Sequence, residues 1–254
     1  IGLEEVVVTA RKQEESAQDI PVALTALTSE LENSSIRDLK DITGYSPNVI
    51  FEENGQRGGG GGVINIRGIS PVRSDDNSLD APIAVVVDGI YLGSMAGQVM
   101  ENFDLERVEI LRGPQGTLFG KNTVGGVINV IRSRPTGEFG GKFRLTAGKD
   151  GQLEARAVIN TSLSENLAMK FFATDISYDG FMENITTGSG VGERDYQNYG
   201  LTFLFEPNDR FEALLTVEAF RDEGTLSAFN TNYNVPAGLL PAPPAGSPEN
   251  DFSG

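Results

Sequence analysis

The chain contains 254 residues, which is enough for one large domain or two of ordinary size. Its 36 acidic residues outnumber its 20 basic residues and give a formal net charge of −16. That balance argues against nucleic-acid binding, which depends on basic contacts to phosphate, and against a basic anchor on a membrane surface. The absence of cysteine and histidine excludes the common zinc sites, thiol nucleophiles, histidine bases, Ser-His-Asp triads and any disulfide scaffold.

The first predicted element is a β-strand over residues 3–10, followed at once by a charged stretch up to residue 15. We expect this strand to have no partner beside it. It is either a frayed first strand or a mobile segment that can add to the sheet edge of another protein. No signal peptide precedes it, so if the chain is exported, Ile1 lies at or near the mature N-terminus.

The first half of the chain then mixes short strands with one helix. The helix is expected over 35–43, because Ser35 and Asp38 form a capping pair and Gly44 can end it. The stretch 83–92 is almost uniformly apolar, so we expect one continuous buried strand there. The other predicted strands are 20–28, 49–51, 64–68 and 105–114.

After Pro135 the pattern changes to a series of antiparallel hairpins, each with apolar residues at every second position. Apolar and mostly polar faces alternate in this way along 142–148, 152–160, 198–206 and 211–220. Short turns and one longer glycine-rich connection, 180–195, favour an outer-membrane barrel. A soluble sandwich alternates too, so patterning alone leaves both architectures open. No run approaches the roughly 20 apolar residues of a transmembrane helix.

One segment of this series, 167–178, fits the alternation poorly. Phe171 and Phe172 are adjacent, and Asp175 falls on the face that should be apolar. We expect either a β-bulge here or a strand that has already left the apolar layer.

Several sequence blocks resemble the TonB-dependent outer-membrane receptors, in the order and spacing of that family. The first, EEVVVTA at 4–10, looks like a TonB box. The plug-like blocks are AQDIPVALTAL at 17–27, LKDITGYSPNV at 39–49, INIRG at 64–68, VVVDGIYLG at 85–93 and ERVEILRGPQGTLFGKNTVGGVINVI at 106–131.

The resemblance implies an α+β plug domain followed by antiparallel strands of a plugged transmembrane β-barrel of about 22 strands. The implied domains are a TonB box and linker over 1–15, the plug over 16–137, and the first barrel strands over 138–254. Five strands cannot close a barrel, and an open sheet edge is not viable in lipid. We therefore expect a fragment or an incompletely resolved chain, rather than one part of a split protein.

In function, the resemblance implies a receptor in the Gram-negative outer membrane, and neither an enzyme nor a protein with a cofactor. Its expected partners are TonB in the periplasm with its inner-membrane energising complex, an extracellular small ligand and outer-membrane lipid. The leading expectation is import of a ferric-siderophore-type complex. The alternatives are import of oligosaccharide, cobalamin or another nutrient, and a non-transporting interaction protein that keeps the fold.

Two sets of functional residues follow from the same resemblance. Arg67 and Arg112 match the arginines that lock the plug to barrel glutamates, although two ordinary surface arginines are the alternative. The residues expected to bind TonB are Glu5, Val6, Val7, Val8, Thr9 and Ala10.

A third set lies in two polar loops, 52–62 and 70–80, which we expect to form the floor of an external ligand cavity. Five successive glycines leave the first loop free to close on a ligand. The alternatives are loops that are merely solvated, and a calcium site made by Asp75, Asp76 and Asp80. The residues expected to bind ligand are Gln56, Arg57, Arg73, Asp75 and Asp76.

Overall fold

The computed structural model describes residues 7–9, 15–28, 42, 44–53, 62–71, 80–93, 104–180, 182–183, 190–208 and 210–224. They form an N-terminal domain built on a mixed sheet and a C-terminal antiparallel meander. Of the helix expected over 35–43, only Ile42 belongs to the described residues, and it is fully buried.

The N-terminal domain contains nine strands and one short helix among the residues that the structure describes. Its central sheet has the strand order β3-β8-β9-β6-β7, in which only β6 and β9 run parallel. Two further pairs, β1–β2 and β4–β5, are antiparallel and separate from it. The elements are β1 Val7–Val8, β2 Glu15–Ser16, β3 Ala23–Leu27, β4 Val49–Glu53, β5 Gly62–Ile66, β6 Ile83–Val87, β7 Ile90–Tyr91, β8 Leu105–Arg112, α1 Gly116–Phe119 and β9 Gly126–Arg132.

The continuous strand predicted over 83–92 is wrong in one respect, because the chain turns back at Asp88 and Gly89. Both residues have positive φ, +48° and +83°, and they join β6 to β7 as a hairpin. Asp-Gly is a favoured pair for such a turn, and the apolar run on both sides concealed it. The predicted burial is confirmed for β6, which is buried at all five positions.

Burial on both faces of β6 follows from two apolar layers that sandwich the central sheet. One layer contains Val85, Ile110 and Ile128, and the other contains Ala84 and Leu111. A strand that is covered on both sides reads as an unbroken apolar run, which is why the alternation disappears in this part of the sequence.

Close packing at the start of β9 requires glycine. A Cβ on Gly126, whose φ is +153°, would lie 2.4 Å from the carbonyl oxygen of Leu111. One on Gly125 would lie 2.8 Å from the Ile83 side chain. The two glycines therefore let β9 approach β8 and β6 where the strands begin to pair.

The C-terminal meander is a five-stranded antiparallel sheet in the order β10-β11-β12-β15-β16. A small two-stranded ribbon, β13–β14, lies in the long connection before β15. The elements are β10 Gly140–Ala147, β11 Leu153–Ser164, β12 Leu167–Tyr178, β13 Met182–Glu183, β14 Gly190–Val191, β15 Arg194–Asn208 and β16 Phe211–Gly224. No described helix is long and apolar enough to cross a membrane.

Exposure along the meander alternates as the sequence predicted. The outward face carries large apolar side chains that remain exposed, among them Phe143 at 70%, Leu145 at 62% and Val217 at 59%. The inward face of the central strands is buried and mixes polar or charged residues with apolar ones, the latter being Val158, Phe172, Ile176 and Leu204. Its buried polar residues are Glu154, Arg156, Lys170, Thr174 and Thr202.

The segment 167–178, for which a bulge was one expectation, is a regular strand. Its register against β15 runs unbroken from Leu167 to Tyr178. Asp175 lies on the outward face and accepts a hydrogen bond of 2.9 Å from the Tyr199 hydroxyl of β15. Phe172 faces inward and is 7% exposed. The irregular alternation therefore reflects a polar pair on the outward face. The expected bulge is wrong for the strand itself, although its register against β11 shifts between Ser162 and Ser164 of β11, opposite its first two residues.

Candidate functional site

The candidate site begins where the chain leaves the mixed sheet for the meander, at Arg132. Its backbone N–H donates to the Asp88 carboxylate at 2.9 Å, and its Nε donates to the same carboxylate at 2.6 Å. Its Nη1 forms an ion pair with Glu218 on the inward face of β16. Burial lowers the pKa of Arg132, but the carboxylates of Asp88 and Glu218 outweigh it and hold the pKa above its ordinary value.

A second arginine repeats the connection two residues later. Arg134 forms an ion pair with Glu212, which also lies on the inward side of β16, six residues before Glu218. Both side chains are about half exposed, at 45% and 49%. The segment that follows β9 is thus attached to β16 at two points.

A third connection runs in the opposite sense, from a cation of the meander to the N-terminal domain. Lys170 of β12 is 1% exposed, and its ammonium group forms an ion pair with Asp104. It also donates to the carbonyl oxygen and the hydroxyl of Ser133. The Ser133 hydroxyl donates to Asp104 at 2.6 Å, so the buried lysine sits in a closed polar network.

An aromatic ring lies close to both Arg132 and Lys170. The Phe172 ring centroid lies 5.8 Å from both the Arg132 guanidinium and the Lys170 ammonium, within the range of a cation–π contact. On the neighbouring strand, a Cβ at Gly200 would come within 2.1 Å of this ring. Glycine at 200 therefore makes room for the ring that supports both cations.

The ion pairs of Lys170 and Arg134 differ in their contribution to stability because they differ in burial. Breaking a buried pair by removing one partner costs about 3–5 kcal/mol, and Lys170–Asp104 belongs to this class. The half-exposed pair of Arg134 and Glu212 belongs to the class that contributes about 0–1 kcal/mol.

The two arginines predicted to form a lock lie elsewhere, at one corner of the N-terminal domain. Arg67 is exposed with φ +54°, and its Nη1 lies 3.5 Å from the position that a Cβ on Gly113 would occupy. Arg112 donates from Nη1 to the carbonyl oxygen of Pro47 at 3.1 Å, while its buried Nε has no hydrogen-bond partner. In the described part of the chain neither arginine contacts a carboxylate, so their pairing with barrel glutamates stays a prediction.

Sequence reasoning missed the ion pairs that the structure does form. The alternation along 211–220 places Glu218 on the polar face of its strand, but it gives that charge no partner. The available signal was the alternation Arg132-Ser133-Arg134 directly before the change in pattern at Pro135. Alternation places the two arginines on one side of an extended chain, which matches two glutamates on one strand face.

The N-terminal segment does have a partner, contrary to our expectation of an isolated strand. Val7 pairs with Ser16 and Val8 pairs with Glu15, and the Val8 side chain is fully buried. The next residue, Thr9, donates from its backbone N–H to Glu109 Oε1 at 2.7 Å and from its hydroxyl at 3.2 Å. Glu5, Val6 and Ala10 lie outside the described residues.

Three residues of the central sheet, Arg107, Glu109 and Asn129, are called here the Thr9 site: Arg107 and Glu109 contact Thr9, and Asn129 contacts Glu109. Glu109 is 0% exposed and accepts from Arg107 Nε and from Asn129 Nδ2, each at 2.9 Å. Arg107 Nη2 also donates to the Thr9 hydroxyl at 3.1 Å. The buried carboxylate is therefore satisfied partly by its own sheet and partly by the N-terminal segment.

A cavity of about 620 Å³ connects the Thr9 site to the interface ion pairs. Thr9 and Arg107 of the N-terminal domain and Glu212 and Leu214 of β16 all line it. Arg132 and Arg134 are also among its lining residues. The docked N-terminal segment and the attachment of the two sheets thus border one shared cavity.

The predicted ligand residues Gln56, Arg57, Arg73, Asp75 and Asp76 lie outside the described residues. Asp80 is described, and it accepts from Asn122 Nδ2 at 3.0 Å and from Lys121 at 3.5 Å. The hydrogen bond from Asn122 and the charge of Lys121 lower the pKa of Asp80. Among the described residues no group of three or more carboxylates could hold a metal ion.

Comparison with known proteins gives matches along most of the chain. Residues 16–127 match the family model of the TonB-dependent receptor plug domain. The vitamin B12 transporter BtuB of Vibrio vulnificus (strain CMCP6) is 27% identical over 240 residues, which cover 92% of this chain and 38% of that protein. The ferrichrome outer membrane transporter/phage receptor of Escherichia coli (strain K12) is 26% identical over 204 residues, covering 80% of this chain and 26% of that protein.

A solved structure agrees with these matches at the level of the fold. The ferric yersiniabactin uptake receptor FyuA from Yersinia pestis superimposes with a TM-score of 0.71 at 23% identity, covering 78% of this chain and 31% of that chain. The present chain therefore spans less than two fifths of the length of each of these relatives.

The predicted fold class is thereby confirmed: the N-terminal domain is a plug, and the meander consists of barrel strands. The matched relatives are transporters and receptors rather than enzymes. Residues 16–127 therefore form a TonB-dependent receptor plug domain, and the chain as a whole is similar to TonB-dependent receptors and transporters along most of its length.

Proposed function

We propose that this protein imports a ferric-siderophore-type iron complex across the outer membrane, with TonB as the source of force. The observation that carries the transport part is the nature of the contact between plug and barrel strands. Each apolar cluster among the described residues lies within the plug or within the barrel strands, and none spans both. The described connections between them are ion pairs and hydrogen bonds around a cavity.

A polar interface of this kind suits a plug that has to move. Separating two apolar surfaces exposes both to water at about 25 cal/mol per Å², whereas ion pairs and hydrogen bonds can be exchanged for contacts with water. The plug can therefore shift inside the barrel while its own apolar core stays intact.

The names of the relatives support iron as the cargo, since a ferrichrome transporter and a ferric yersiniabactin receptor are among them. The competing cargo is cobalamin, because the vitamin B12 transporter matches 92% of the chain. Uptake of radiolabelled ferric chelates and of labelled cyanocobalamin by cells that carry this receptor alone distinguishes the two. Uptake of cobalamin without any ferric chelate would remove the iron proposal.

Coupling to TonB is proposed for residues 5–10, the segment docked through Val8 and Thr9. Proline at position 7 removes a backbone N–H donor and fixes φ, so Val7→Pro should prevent this segment from pairing as a strand. We expect uptake to collapse while ligand binding at the cell surface is retained. Val7→Ile, which keeps a β-branched residue, is the control, and normal transport by Val7→Pro would mean that another segment couples to TonB.

For the ligand itself, we propose that Gln56, Arg57, Arg73, Asp75 and Asp76 form the floor of the external cavity. Arg57 and Arg73 are the cations in these loops that an anionic chelate can use. The Arg57→Ala/Arg73→Ala receptor should bind such a chelate more weakly and lose most of the salt dependence of binding. Unchanged affinity would place the site in the barrel loops instead.

A further inference from the structure

Glu109 is the central residue of the Thr9 site, and every contact that the structure gives its side chain is with a donor. Oε1 accepts from the Thr9 N–H, the Thr9 hydroxyl and Arg107 Nε, and Oε2 accepts from Asn129 Nδ2. An ionised carboxylate can accept hydrogen bonds but cannot donate them. These donors therefore favour an acidic residue at position 109. Its side chain is 0% exposed, and acidic side chains are rarely fully buried unless they are paired.

The partners of Glu109 fall into a permanent and a removable group. Arg107 and Asn129 belong to β8 and β9 and stay with the sheet. Thr9 directly follows the two-residue strand β1, which among the described residues pairs with the two-residue strand β2. When the segment leaves, the buried carboxylate keeps Arg107 and Asn129 but loses both bonds from Thr9.

The cavity beside the site makes this loss reversible. Thr9, Arg107 and Asn129 all line it, and a space of about 620 Å³ admits water. Water can replace the Thr9 donors at Glu109, so undocking exchanges hydrogen bonds instead of leaving them unmade. The Thr9 site can therefore bind the N-terminal segment reversibly.

We propose that Glu109 is the positioning residue that holds the N-terminal segment on the plug and sets how often it is released toward the periplasm. This inference rests on the proposed coupling role of residues 5–10, and it adds the residue that controls their availability. Docking depends on an acceptor-only side chain at 109 and on two donors at position 9.

The test measures docking in the complete receptor, in native outer membranes and without TonB. A nitroxide label is attached at Val7→Cys, in a sequence with no cysteine of its own, and the mobile fraction of its spectrum is recorded. Glu109→Gln keeps the shape of the side chain but removes its charge and replaces one acceptor oxygen by an NH2 donor, so the charge-assisted hydrogen bonds from Thr9 and Arg107 are weakened. We expect it to raise the ratio of released to docked segment about tenfold.

Two further variants separate docking from a general loss of plug structure. Thr9→Val acts from the segment side and leaves the sheet unchanged, so it should raise the same ratio, and in the Glu109→Gln background it should add little. Glu138→Gln makes the same charge change at an exposed residue that does not contact the Thr9 site, and it should leave docking as in the wild type. A label at the exposed plug residue Val124 should report no change in any variant.

The outcomes are distinct. A mobile fraction that is unchanged by both Glu109→Gln and Thr9→Val would overturn the inference and leave the transport proposal standing. Additive effects of the two changes would also count against it, because independent residues add and a contacting pair does not. If Glu109→Gln releases the segment but the periplasmic domain of TonB binds the receptor no better, the docking role holds and the proposed coupling role fails.

Discussion

In the plug, strand Ile83–Val87 is buried at all five positions, whereas along the central barrel strands buried positions alternate with partly or fully exposed ones. The more exposed face of the barrel strands carries large apolar side chains, while the buried face mixes polar residues such as Lys170 with apolar ones such as Phe172. The plug thus keeps its large apolar residues in an interior shared by two layers, while the barrel strands also place such residues outside. An outer face of this kind fits lipid, rather than water, as its solvent.

The largest expected effect comes from introducing a charge into the plug core. Val85 is 0% exposed in the apolar layer that also holds Ile110 and Ile128, so Val85→Asp would bury a carboxylate with no partner. We expect a loss of more than about 4 kcal/mol in plug stability, seen as rapid proteolysis of the plug within an intact receptor. Val124→Asp, at a plug position that is 62% exposed, is the control and should be neutral. Equal protease resistance of the two variants would contradict a core at β6.

The second effect tests the polar boundary between the two regions. Lys170→Met removes the buried cation and leaves Asp104 without its ion-pair partner, at a cost of about 3–5 kcal/mol. Because Asp104 and Ser133 hold the plug to β12 through this lysine, we expect increased ion leakage through the purified receptor in planar bilayers.

Arg134→Met is the matched control for this variant, because it breaks a half-exposed pair that contributes about 0–1 kcal/mol. It should leak much less than Lys170→Met, and the reverse order would mean that burial does not rank these pairs. Arg67→Ala and Arg112→Ala, the variants of the predicted lock, belong in the same assay. Leakage at the wild-type level in both would remove that prediction.

The third effect separates a lipid-facing apolar residue from one that faces water. Val217 on β16 and Val124 in the plug are similarly exposed, at 59% and 62%. Arginine at a lipid-facing position costs up to about 2–4 kcal/mol at mid-bilayer, whereas at a water-facing position it is nearly neutral. Val217→Arg should therefore lower the denaturant midpoint of the membrane-inserted receptor, and Val124→Arg should not. Indistinguishable midpoints would argue for an aqueous outer face.

The alternating half of the fold could be predicted from sequence because a period of two fixes the face of every residue once one is known. Phe143, Leu145 and Val217 lie outward as predicted, even in strands whose partners were not known. The same rule gives no information about the plug core, where both faces are apolar. There the turn at Asp88 and Gly89 remained hidden inside the run from 83 to 92.

The candidate site was less predictable, because its contacts join residues that are far apart in sequence. Arg132 and Glu218 are 86 positions apart, and Thr9 and Glu109 are 100 apart. Local patterns can show that Glu218 faces inward and that residues 7 and 8 form a strand. They cannot show which cation or carboxylate lies opposite, because that depends on how two separately folded sheets are placed.

The smallest effect concerns the polar pair on the otherwise apolar outer face. The Tyr199 hydroxyl donates to Asp175 at 2.9 Å, one strand away and near the end of β12. Tyrosine is enriched at the border between lipid and water, where its ring is in contact with lipid and its hydroxyl reaches polar groups. Tyr199→Phe keeps the ring and removes the donor, so we expect a loss of about 1 kcal/mol in stability, less than for the buried pair of Lys170.

The measurement is the urea midpoint of the receptor in vesicles, for Tyr199→Phe, Asp175→Asn and the combination. If the hydrogen bond couples Tyr199 to Asp175, the combined variant should lose less stability than the sum of the two single losses, and the difference should be about 1 kcal/mol. Strict additivity would mean that Asp175 is stabilised by water at the membrane border and that the tyrosine contact contributes nothing.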